Sequence, residues 1–138
     1  MFYSQNRDEI RRFYLESWRK HREGLPMEAM EQLVAGVVAE HPEYHAVLQG
    51  EDRALGREYL PELGETNPFL HMGMHIALRE QVAANRPHGI RPIHRRLSRT
   101  LGGTMQAEHA MMECLGEVLW QAQRSGQPPD DDAYLQSL

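Results

Sequence analysis

The sequence predicts an all-α protein, a single-domain helical bundle of about four main helices with short accessory ones. Three observations point there. Apolar residues recur every three or four positions in several windows, prolines and glycines mark the ends of those windows, and no stretch alternates apolar and polar with a period of two. A chain of 138 residues, 41% hydrophobic and 25% charged, is long enough to bury one core without disulfide staples.

The first helix takes Ser4 or Asn6 as its cap and Ile10, Phe13, Tyr14 and Trp18 as its apolar stripe, and Gly24 ends it. Pro26 suits a first helical position, and Met30, Leu33, Val34, Val37 and Val38 then repeat at one-sided spacing, leaving Glu28, Glu31, Gln32 and Glu40 to water. "EHPEYHAVLQG" predicts a short helix, with His41 at the cap and Gly50 as the stop. Residues 51–66 have no clear period and contain Gly56, Pro61 and Gly64, the pattern of a loop with at most one helical turn.

Asn67 followed by Pro68 starts "NPFLHMGMHIALREQ", a helix continuing to about Asn85, where Pro87 and Gly89 break it. A basic connecting helix spans Ile90 to Leu101 before Gly102 and Gly103. Thr104 caps the last long helix, which stops at Gly126, and Asp130 caps a short C-terminal turn holding Tyr134 and Leu135. The organisation is thus 1–50 N-terminal helices, 51–66 loop, 67–126 two long helices with their basic connection, and 127–138 a short turn.

The net charge of −5 is unevenly spread: 14 of the 15 basic residues are arginine, and no acid lies between Gln81 and Ala107. Arg86, His88, Arg91, His94, Arg95, Arg96 and Arg99 fall in that window, so Arg86–Arg99 is a candidate contact for an acidic partner. Clustered arginine also grips nucleic-acid phosphates, but no aromatic residue stands in the segment to stack bases, which disfavours that reading. A homo-oligomer fits the composition. Cys114 is the only cysteine, which removes intramolecular disulfides and multi-cysteine zinc sites and suits a reducing compartment. The charged N-terminus lacks a signal-peptide pattern and no apolar run approaches the roughly 20 residues of a membrane span, so the expected location is the cytoplasm, with no membrane contact.

Three segments carry a ligand-type pair four residues apart: His41 and His45, His71 and His75, His109 and Glu113. That spacing puts both side chains on one helix face, within reach of one ion. Helical metalloproteins use such inward pairs from facing helices, and nitrogen with oxygen donors suits zinc, iron, nickel or manganese. The plainer readings stand beside this one. The face of His71 and His75 also carries Arg79 and Asn85, His109 and Glu113 share a stripe with Gln106, Glu117, Gln121 and Arg124, and His41 serves equally well as a cap. Glu80 projects to the opposite side from the histidines, among Phe69, Gly73 and Ile76, where an ion pair with arginine is the expectation.

"HMGMH" invites a copper(I) site, but a helix points Met72 and Met74 to different sides, and methionine more often fills core gaps. Cys114 falls between Met111 and Val118 on the apolar side, as inert packing. No phosphate loop, nucleophile elbow or paired-carboxylate motif is present, so enzymatic activity has no support beyond a metal that would activate water or oxygen.

"MFYSQNRDEIRRF", "HPEYH", "TNPFLHMGMHIALREQ" and "EHAMMECLGEVLWQAQRSG" together resemble the bacterial domain of unknown function 1841 family, over nearly the whole chain. The resemblance implies a small, single, bacterial cytoplasmic domain and carries over no catalytic residues. The helix-borne pairs are similar in logic to those of hemerythrin-like bundles.

Overall fold

A computed structural model describes residues 7–50, 54–55, 59 and 67–138. Among them the chain is all-α: α1 (Arg7–Glu23), α2 (Ala29–Ala39), two 3-10 turns (Pro42–Tyr44 and Val47–Gln49), α3 (Pro68–Ala84), α4 (Ile90–Leu101), α5 (Thr104–Ser125) and α6 (Asp131–Ser137). The expected caps Ser4 and Asn6, and most of the expected 51–66 loop, lie outside the described residues. No helix among those described is long and apolar enough to cross a membrane. The chain divides into two compact units, Met1–Ile76 and Ala77–Leu138.

In the first unit α1 packs on α2. Tyr14 and Trp18 meet Val34, Val37, Val38, Leu48, Phe69, Met72 and Ile76 in one buried cluster. Ile10 and Phe13 pack against it only partly buried, because the buried face of α1 turns through Arg11, Tyr14, Ser17 and Trp18. Arg11 is 2% exposed. Its guanidinium donates to the Ala54 carbonyl at 2.8 Å and lies 4.8 Å from the centre of the Phe69 ring, so a hydrogen bond and a cation–π contact offset its lost hydration. Burial first, then neighbouring Arg7, lowers its pKa from the usual arginine value.

The second helix begins at Ala29 rather than Pro26, with Glu28 as its N-cap. Glu31, expected in water, is 8% exposed. One of its oxygens accepts from the Glu28 amide at 2.9 Å and the other from Lys20 Nζ at 2.7 Å, so one carboxylate closes the helix start and ties α2 to α1. The segment after α2 forms two 3-10 turns instead of a short α-helix, with Tyr44 N donating to His41 O and His45 N to Pro42 O. Short helical pieces often close i→i+3 bonds of this kind in place of an α-helical turn.

Asn67 caps α3 as expected, its side-chain oxygen accepting from the Phe69 and Leu70 amides at 2.9 and 3.2 Å. Tyr14 packs edge-on against Phe69 and donates to its carbonyl at 3.3 Å. Burial pushes that phenol up to about 12.

In the second unit α4 packs on α5, and α6 returns along α5. Leu78, Ile90, Met111 and Tyr134 are buried, and Tyr134 Oη donates to Gln81 at 2.8 Å. The acid that pairs with arginine is Glu108, not Glu80, which is exposed. Glu108 is 2% exposed and meets Arg79 through two bonds of 3.0 and 3.3 Å. Gly103, rather than Thr104, is the cap residue of α5. Asp130 caps α6 as expected, accepting from the Ala133 amide at 3.1 Å.

The Lys20–Glu31 contact gives a pH-dependent stability. The hydrogen bond from Lys20, then that from the Glu28 amide, lowers the Glu31 pKa from its ordinary 4.5. A lowered folded-state pKa contributes stability that is present above 4.5 and is lost as pH falls through the folded value. Lys20 is raised by the same contact, so its share persists until strongly alkaline pH. Glu31→Gln keeps an acceptor for the Glu28 amide and removes the charge. The variant melts below the parent protein at pH 7, and the gap closes as pH is lowered past 4. A gap that stays constant across this range would show that the charge contributes nothing.

Candidate metal centre

The site grows from the C-terminus of α2. The last carbonyls of a helix have no intrahelical donors, and histidines near that end can supply them. The Val37 carbonyl stands 2.7 Å from His41 Nδ1, and the Val38 carbonyl 2.8 Å from His45 Nε2. A carbonyl oxygen only accepts, so each of these nitrogens carries the proton. For a neutral His41 this places the lone pair on Nε2.

Helix α3 brings the other two rings. At about 100° per residue, His75 lies roughly 60° and His71 roughly 100° round from Met72, which is fully buried in the core. Burial follows that angle: His75 is 0% exposed, while His71 is half-buried. The His41 ring centre lies 4.7 Å from that of His75 and 5.2 Å from that of His71, and the His71 and His75 rings are 4.9 Å apart. One potential ligand nitrogen from each of the three lies within 4.8 Å of the others.

The Nε2 atoms of His71 and His75 are 3.3 Å apart. That is the long end of the hydrogen-bond range, so the two rings stand in direct contact. It matches the edge of a tetrahedral site, since two nitrogens at about 2.05 Å from zinc stand roughly 3.3 Å apart.

His45 does not join this group. Its ring lies 4.5 Å from Trp18, tilted against the indole. The 3-10 turn explains the divergence from His41: at three residues per turn, positions four apart point about 120° apart instead of sharing a face. His109 and Glu113 stand on α5 in the second unit, both exposed. Sequence spacing overlooked Tyr44, whose ring stacks on His41 at 5.7 Å and meets His71 edge-on at 6.0 Å. Burial, reinforced by Glu43, raises its phenol pKa. Its place three residues after His41 in "HPEYH" was the available signal.

The basic segment is partly used within the second unit. Arg91 donates to the Val82 and Ala83 carbonyls at 3.0 and 2.6 Å, capping α3, and Arg96 donates to the Leu138 carbonyl at 3.1 Å. Arg95 and Arg99 are exposed. Cys114, expected in apolar packing, is half-buried, and its thiol faces the Ser137 carbonyl at 3.5 Å.

In comparison with known proteins, the model of a family described as a domain of unknown function, DUF1841, matches residues 6–138. The chain belongs to that family. No curated protein and no solved structure matches it. The DUF1841 description assigns no activity, so the functional reading rests on the histidines themselves.

His45 has a structural role that separates it from the cluster. His45→Ala removes the Val38 hydrogen bond and the Trp18 contact and costs about 1–2 kcal/mol of stability, measured by urea unfolding. If the cluster of His41, His71 and His75 takes up zinc, the folded variant takes up as much as the parent chain. A stable variant that has lost zinc uptake would place His45 among the ligands.

Proposed function

We propose that this is a metal-binding protein whose first unit holds a divalent transition ion through His41, His71 and His75. The observation that carries this is the convergence of three imidazoles from two elements about thirty positions apart, one of them fixed with its Nε2 lone pair available by the Val37 carbonyl. Second-contact hydrogen bonding of this kind, from a ring N–H to a backbone carbonyl, orients metal-binding histidines and raises their basicity.

The donor set narrows the ion. Imidazole nitrogen suits zinc, iron and nickel, whereas manganese prefers carboxylate and water oxygens. Among these, zinc is commonly held by three imidazoles with a fourth position open.

Elemental analysis of tag-free protein, purified without a metal-affinity resin, tests the reading. The parent chain carries about one ion, and His71→Ala combined with His75→Ala removes it. Added zinc at a hundred times its dissociation constant stabilises the parent chain by about 2.7 kcal/mol and leaves the double variant unmoved. Loading falls in acid, because protons compete for the imidazole lone pairs. Substoichiometric metal that is the same in both proteins ends the proposal.

A further inference from the structure

The second unit carries two exposed faces of opposite charge. An open groove of about 740 Å³ runs along α5 and α6, with Val118, Ala122 and Ala133 among its apolar walls. Glu113, Glu117 and Asp130 line it, and no lysine, arginine or histidine does. On α4, Arg95 and Arg99 are exposed and form no ion pair among the described residues. The arginines are four residues apart, and so are Glu113 and Glu117. On a helix that spacing sets both pairs of charges about 6 Å apart along the axis, so two guanidinium groups match two carboxylates in register. Exposed Leu101 ends the arginine-bearing helix.

We infer that a second copy of this chain docks here: Arg95 and Arg99 of each copy enter the Glu113–Glu117 groove of the other, making a two-fold homodimer. A two-fold axis forms the contact twice, so modest exposed ion pairs act together while the apolar groove wall is covered. The inference concerns the second unit alone and stands or falls independently of the metal reading.

Analytical ultracentrifugation of the full chain tests it. At low salt the parent protein sediments at twice its 16.0 kDa mass, and the dissociation constant rises roughly tenfold or more on going to about 0.5 M salt. Arg95→Glu with Arg99→Glu is monomeric, and so is Glu113→Lys with Glu117→Lys. An equimolar mixture of the two variants dimerises again, because each now offers the charge the other lacks. That recovery also shows that both variants remain folded. A parent chain that stays monomeric at about 100 μM overturns the inference and leaves the groove to another occupant. A dimer indifferent to both charge reversals overturns it equally, since its contact lies elsewhere.

Discussion

The end of α2 is the constraint on which the candidate centre rests. Its terminal carbonyls need donors from outside the helix, and the next residues bring two imidazoles to meet them, His41 at Val37 and His45 at Val38. For His41 this does more than finish a helix. The ring is 3% exposed, and turning it would give up a 2.7 Å hydrogen bond inside the protein. Backbone chemistry thereby selects which His41 nitrogen keeps its lone pair.

The core sets the other half of the arrangement. Phe69, Met72 and Ile76 fix the rotation of α3 by burying one stripe, and the Asn67 cap fixes where that helix begins. His75 sits at the margin of this stripe and is drawn into the interior, while His71, one turn earlier, stays half-buried. Two imidazole rings in the apolar first half of α3 are thus a consequence of helical phase. Packing explains where they stand, and the third ring from beyond α2 turns a pair into a group with ligand geometry.

Much of this was visible in the residue order. Gly24, Asn67 with Pro68, Gly102 and Asp130 mark element ends where the structure has them, because capping and left-handed backbone are local properties of those residues. The His71–His75 pair was equally legible, since four-residue spacing on an α-helix has one geometric meaning. His45 was not: its direction depends on a 3-10 turn that no local signal distinguishes from a short α-helix, and its partner Trp18 is distant in sequence. Arg11, Glu31 and Glu108 escaped for a related reason. A charged residue is assigned to solvent by default, and only the fold brings Ala54, Lys20 and Arg79 to satisfy them.

The protonation state of His41 tests the account most directly. Long-range proton–nitrogen NMR on labelled, metal-free protein at neutral pH distinguishes the two imidazole tautomers. Our account predicts that His41 holds its proton on Nδ1, and that zinc shifts the Nε2 resonance while Nδ1 keeps its hydrogen. A ring protonated on Nε2 alone, or one whose Nε2 resonance ignores zinc, would contradict it.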